Sequence, residues 1–246
     1  MKKFTVDHLN VIYNGKKRKK IHAVDNVSFE LTAGDSLGII GESGSGKSTM
    51  IHAFLRLLSS NNTTISGHAY FDDTDLLTCD EKYLKELRWK EISVVFQKSM
   101  NSLSQIHKIG SQFEDIYMVH NPSTSKKQRK EVILNLFEMV NLSPHIYNMY
   151  PFELSGGMQQ RLNIALSLMF HPSLLIMDEA TTALDVITQG QIIDELLELE
   201  KKFSITRIMI THDLSVVASS CKKILVMYAG RLVEYGNTAD VLQNPM

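Results

Sequence analysis

The stretch Gly41-Glu42-Ser43-Gly44-Ser45-Gly46-Lys47-Ser48-Thr49 matches the pattern G-x-x-x-x-G-K-[ST] at every fixed position. Glycines, which lack a Cβ, let a backbone turn through positive φ and come close to an anion. The loop N–H groups and the start of the helix that follows then turn partial positive charge toward a polyphosphate. Lys47 adds a point charge for β- and γ-phosphates, and Ser48 offers a hydroxyl to Mg²⁺. A second pair of reactive groups, Asp178 and Glu179, closes the apolar run Leu174-Leu175-Ile176-Met177. At the carboxyl end of a strand, Asp178 is suited to hold Mg²⁺ and Glu179 to polarise an attacking water. A third feature is Leu154-Ser155-Gly156-Gly157-Met158, where Ser155 is a good N-cap and two glycines leave the first helical N–H groups open to an anion. Each has a purely structural alternative: a flexible Gly/Ser turn, acids that cap the next helix, and a capped helix start. One nucleotide's γ-phosphate does not obviously need both anion-binding features.

The elements around these residues support the chemical readings. Residues 36–40 form a short apolar run of strand type and residues 50–58 have helical length and composition, so the loop has the strand–loop–helix setting it requires. Residues 3–35 alternate as strands around a Lys/Arg-rich segment at 14–20, read as a solvated hairpin loop. Tyr13, at the end of the first strand, is a half-buried aromatic or a surface on which a base can stack. Residues 65–71 and 92–96 read as strands and 83–89 as a short amphipathic helix. Helical spacing then takes over at 109–119 and at 126–140, where Val132, Leu136, Met139 and Val140 share a face. Strand–helix alternation returns at 173–177, 189–201, 207–210, 214–220 and 224–228, with Ala229-Gly230 as a hairpin turn into 232–235. The expectation is an α/β fold with a mainly parallel sheet and an N-terminal antiparallel β subdomain. A helical subdomain at 98–170 is expected as an insertion in a nucleotide-binding core of residues 1–97 and 171–246.

Composition narrows the classes. A chain of 246 residues buries roughly 70–75% of its unfolded surface and needs no disulfide or structural metal for its core. A net charge of −1 gives no global reason to expect nucleic acid or anionic lipid as partner. The two cysteines, Cys79 and Cys221, form no metal-ligand pattern and fit a reducing compartment. There is no N-terminal apolar signal stretch and no apolar run of about 18 residues, so work at a membrane requires docking on a partner.

On these motifs the chain resembles the ATP-binding cassette (ABC) ATPases over essentially its whole length, with a P-loop NTPase core. Leu154-Ser155-Gly156-Gly157-Met158 is similar to the family signature, with Met158 in place of the commonest Gln. The resemblance implies that two cassettes pair head to tail and sandwich each ATP between one loop and the other's signature, so Ser155, Gly156 and Gly157 face the partner's nucleotide. It further implies that Gln97 senses Mg²⁺ and the attacking water, and that Asp185 lies on the loop crossing the dimer interface. His212 would contact the γ-phosphate and Tyr13 would stack on adenine. Phe96-Gln97-Lys98-Ser99-Met100-Asn101, Thr181-Thr182-Ala183-Leu184-Asp185-Val186 and Gly230-Arg231-Leu232-Val233-Glu234-Tyr235-Gly236 are similar to peptide and nickel uptake ATPases. Lys98-Ser99 and Ala180 depart from that subfamily, and relatives continue past Asn244-Pro245-Met246 into a C-terminal extension.

The function this implies is an Mg²⁺-dependent ATPase subunit that powers import of a peptide, nickel or another metal or metal chelate. Its partners would be a second cassette, the same or different, two transmembrane permease subunits and an extracytoplasmic substrate-binding protein. It would lie peripherally on the cytoplasmic face of the membrane, with no nucleic acid partner. The alternatives are a soluble ABC-type ATPase acting on ribosomes or DNA, and the nucleotide domain of an exporter.

Overall fold

The computed structural model describes residues 2–15, 20–96, 102–181 and 184–245. Strands β1 (Lys3–Asn14) and β2 (Lys20–Thr32) run antiparallel, and β4 (Thr63–Phe71) and β5 (Thr74–Asp75) extend them into a four-stranded sheet ordered β2-β1-β4-β5. Alternation sets their faces: Phe4, Val6, Leu9 and Val11 are buried while intervening residues are not.

The second sheet has β3 (Ser36–Gly41), β6 (Ile92–Val95), β7 (Leu174–Asp178), β8 (Thr206–Ile210), β9 (Lys223–Tyr228) and β10 (Arg231–Asn237), in the order β10-β9-β3-β8-β7-β6. All its pairings are parallel except β9 with β10. Those two meet at Ala229 and Gly230, both at positive φ (48° and 85°), the backbone of a two-residue turn whose twist matches the strands it joins. Strands β7 and β8 are buried at every residue, as expected of a sheet covered on both faces.

The helices are α1 (Lys47–Phe54), α2 (Glu81–Lys90), α3 (Ile109–His120), α4 (Lys126–Met139), α5 (Gly156–Leu168), α6 (Val186–Phe203), α7 (Leu214–Ser220) and α8 (Thr238–Gln243). The first starts and stops earlier than the composition of residues 50–58 suggests. Arg56 turns to φ 49°, and Leu57 N donates to His52 O across the last turn, which ends the helix without a glycine. The α4 face also differs from the sequence expectation. Its buried side chains are Ile133, Leu136 and Phe137, followed by Val140, whereas Val132 and Met139 are only partly buried. Phe137 packs edge-on against Phe113 of α3, ring centres 5.2 Å apart, and so chooses the face. The helix α6 begins at Val186, earlier than residue 189, because Asp185 caps it.

The two larger cores follow from the period of the strands, beside a small third cluster of Val217, Cys221, Ile224 and Val241. Leu174 and Ile176 of β7 join the core shared with α1 and the antiparallel sheet, while Leu175 and Met177 join the core under α3 to α6. At the centre of the first, Phe54 contacts Phe4 and Phe29 at ring distances of 5.2 and 6.2 Å. This cluster ties the helix after the phosphate-loop motif to the antiparallel sheet. Truncating Phe54 to Ala is expected to destabilise the protein by about 3–5 kcal/mol, through lost burial and the cavity left behind. Denaturant unfolding of the variant beside the unaltered chain measures this; a cost near zero would mean the two sheets are not joined through that ring.

Candidate active site

The loop of residues 41–49 leaves β3 and enters α1. Its shape depends on two glycines. Gly46 has φ 101°, and a Cβ there would lie 2.0 Å from Ala23 O; at Gly41 (φ 151°) it would lie 2.1 Å from Met227 O. Gly230 N donates to Ser45 O at 3.0 Å, so the β9–β10 turn braces the loop from behind. Within the loop Lys47 is nearly buried and its Nζ donates to Gly41 O and Glu42 O, both at 2.8 Å, and to Ser45 Oγ at 3.3 Å. Burial pulls this ammonium below its ordinary range, and the charges of Glu179 and Asp178 oppose that shift. A cation held by neutral carbonyls and near two acids is one that phosphate oxygens can win from its resting partners.

Asp178 ends β7 in register with Ile210 of β8, which ends that strand. Ser48 Oγ donates to Asp178 Oδ1 at 3.0 Å, joining the first turn of α1 to the end of β7. Burial raises the Asp178 carboxyl above its ordinary value, opposed by the Ser48 hydroxyl bond and the charge of His52 and reinforced by that of Glu179. Among the described residues no group of three or more His, Cys, Asp or Glu side chains converges as a metal cluster. The hydroxyl–carboxylate pair instead has the hard oxygen chemistry of a Mg²⁺ site that leaves most positions to water and phosphate.

Glu179 follows with φ 50°, a strained value for a side chain of this size, and its N–H is held by Ile210 O at 2.9 Å. Its Oε1 lies 2.5 Å from His212 Nε2, the residue two places beyond β8. The glutamate is mostly buried and the histidine half-exposed, so the pair faces the open edge of the sheet. Tyr13, at the end of β1, reaches the same region with its hydroxyl 3.4 Å from Thr49 Oγ1.

The structure therefore brings together Gly41, Glu42, Ser43, Gly44, Ser45, Gly46, Lys47, Ser48, Thr49, Asp178, Glu179, His212 and Tyr13. Ser155, Gly156, Gly157 and Asp185 make up a second neighbourhood. Ser155 caps α5 by accepting from Met158 N at 3.3 Å, Asp185 caps α6 by accepting from Thr188 N at 3.0 Å, and a Cβ on Gly157 would meet Thr188 Cγ2 at 2.8 Å. The Thr188 amide bond holds the Asp185 carboxyl below its ordinary value. Gln97 lies outside the described residues. Two contributors were not singled out from sequence. His52 follows Ser48 by four residues, hence on one helical face, and that spacing could have revealed it. Gly230 was legible as a turn residue, but its backbone bond to Ser45 O is a tertiary contact that no sequence pattern announces.

Comparison with known proteins gives concordant matches. A family model described as ABC transporter matches residues 24–182. The chain is 45% identical to the oligopeptide transport ATP-binding protein OppD of Escherichia coli (strain K12), covering 92% of this chain and 67% of that one. It is 40% identical to the dipeptide transport ATP-binding protein DppD of Caldanaerobacter subterraneus subsp. tengcongensis, over 98% of this chain and 74% of the relative. Its fold superposes with a TM-score of 0.83 and 27% identity on the ATP-binding cassette MJ0796 in a dimeric post-hydrolysis state bound to ADP and Pi, covering 96% and 98% of the two chains.

The buried acid makes a testable point that does not depend on any ligand. Because the folded-state pKa of Asp178 is raised, the stability linked to this carboxyl is full at acid pH and is lost as pH rises through the folded value. Asp178→Asn, free of divalent cations, is expected to melt higher than the unaltered chain at neutral pH, with the gap closing in acid. Thermal denaturation across pH measures this, and a lower melting temperature at neutral pH would contradict it.

Proposed function

The chain belongs to the ABC transporter family, and from that premise we propose that it is the ATP-binding and ATP-hydrolysing subunit of an importer, with peptides as the favoured cargo. The observation that carries the reading is the convergence of Lys47, the Ser48–Asp178 pair and the Glu179–His212 pair on one sheet edge. Among the described residues no helix is long and apolar enough to cross a membrane; in this reading two transmembrane permease subunits form the path. An extracytoplasmic substrate-binding protein would deliver the cargo, and the chain would lie peripherally on the cytoplasmic face. The helical subdomain, assigned in this reading to 98–170, would dock on the permease, and 1–97 with 171–246 would make up the nucleotide-binding core.

In this reading the backbone N–H groups of the loop and the start of α1 receive the phosphates of ATP. Lys47 exchanges the carbonyls of Gly41 and Glu42 for β- and γ-phosphate oxygens. Ser48 and Asp178, with Gln97, would hold Mg²⁺, which when bound neutralises charge on the phosphates. Tyr13 stacks on adenine. Glu179 orients and polarises the attacking water, and His212, already paired with Glu179, holds that carboxylate and reaches the γ-phosphate. General-base assistance of this type contributes about 10²–10⁴ in rate. Ser155, Gly156, Gly157 and Asp185 complete the site of a second cassette, so hydrolysis belongs to the dimer rather than to one chain.

The test is Glu179→Gln in the assembled dimer. ATP turnover should fall by about 10²-fold or more while ATP stays bound and the closed dimer accumulates on size-exclusion chromatography. Unimpaired hydrolysis by this variant would overturn the assignment.

A further inference from the structure

At the amino-terminal edge of the six-stranded sheet, opposite the phosphate loop, Arg207 of β8 is wholly buried. Its Nε lies 2.7 Å from Oε1 of Glu200, near the end of α6. Its Nη2 donates to the carbonyl of Ser220, the last residue of α7. The ion-pair contact has no aligned hydrogen bond at either atom. A cleft of about 410 Å³, whose lining includes Leu197, Glu200, Lys201, Ile205, Cys221 and Lys222, opens beside it.

Such a pair is a poor device for stability alone. Taking both charges from water costs several kcal/mol per ion, and apolar side chains of similar volume often serve as well or better. What distinguishes this pair is the set of elements it fastens. The helix α6 begins at its cap Asp185, α7 begins at its cap Asp213, next to His212, and β8 ends two residues before His212. The far ends of all three meet at one guanidinium. We propose that the Arg207–Glu200–Ser220 contact is a buried clamp, and that Arg207 and Glu200 are positioning residues that hold Asp185 and His212 for hydrolysis. The proposal rests on the assignment of those two residues to the nucleotide site.

The charge state of the clamp supports this. Burial raises the Glu200 carboxyl to about 7, against the lowering pull of Arg207 from β8 and Lys222 beyond α7. Cys221 also faces it, and Lys201 adjoins it on its own helix. Because the folded value exceeds the ordinary 4.5, the stability linked to this group is full in acid and is lost as pH rises toward about 7. The ionised clamp thus forms as its stability contribution vanishes. A positioning role makes activity gain from the ionised pair while stability does not; a purely structural pair would move both together.

The experiment measures kcat and KM for ATP on the assembled transporter in membrane vesicles, across a pH range centred on about 7, together with melting temperatures of each variant. Above that pH, Glu200→Gln should lower kcat about tenfold or more with KM unchanged, a loss in keeping with slight misplacement of reacting groups. The ratio of its rate to the unaltered rate should climb toward one in acid, where groups common to both proteins cancel. The double change Arg207→Met with Glu200→Leu should melt no lower than the unaltered chain yet hydrolyse slowly at every pH. A rate ratio flat with pH, a double variant of full activity, or losses of kcat that track losses of melting temperature would each overturn the clamp. An unaltered transporter that hydrolyses no ATP would overturn the parent function and the clamp with it, a result distinct from normal hydrolysis indifferent to Glu200.

Discussion

Parallel pairing of β3 with β8 and of β8 with β7 sends three strand ends out of the sheet at one edge. The register aligns them: Ile39 and Asp178 each pair with Ile210. From that common line the chain needs only one or two residues to reach Gly41, Glu179 and His212. With both faces of the sheet covered, the strand interiors are mainly apolar, and the nucleotide-site candidates gather at the carboxyl ends. The desolvation felt by Lys47 and Asp178 follows from the same cover. Their opposed charges sit close to a dry interior, where an anion and a cation bound together relieve both.

Local structure maintains that edge through backbone more than side chains. Glu179 keeps a left-handed φ because Ile210 O holds its N–H, and the phosphate loop keeps its turn because Gly230 N holds Ser45 O. Strain and bracing of this kind concentrate where geometry serves chemistry. The second neighbourhood is organised differently, with Ser155 and Asp185 each spent on a helix cap and Gly157 pressed against Thr188. It presents helix N-termini outward and shares no hydrogen bond, among the described residues, with the phosphate loop. In the proposed reading a single chain therefore carries two parts of a site that a second cassette brings together.

Much of this was legible in the amino-acid sequence. The phosphate-loop pattern, the acids after an apolar strand, the capped Ser155-Gly156-Gly157 start and the alternation of strands with helices all follow from local rules of conformation. These local rules also marked Lys47, Ser48, Asp178, Glu179 and Ser155 as residues that could do chemistry, each type being needed at a fixed spacing within one turn or one strand end. Gln97, Asp185 and His212 were reached only through the family resemblance. Local rules failed where packing chose among near-equal options. On α4 the apolar residues of the carboxyl-terminal half spread over more than one face, and the contact of Phe137 with Phe113 selects Ile133 over Val132. The end of α1 departs from its local composition because Leu55, Leu57 and Leu58 continue the helical pattern past the turn at Arg56.

Only the tertiary structure decided which candidates act together. Nothing in the chain's order ties Ser48 to Asp178, or Glu179 to His212, since those pairs depend on strand register across residues far apart in sequence. The same holds for Arg207 and Glu200, which meet only when β8 and α6 pack and exclude water around them. The physical reason is common to all three. Residue type and spacing specify torsions and exposed faces over a few positions, whereas desolvation and pairing of charges are properties of the packed interior.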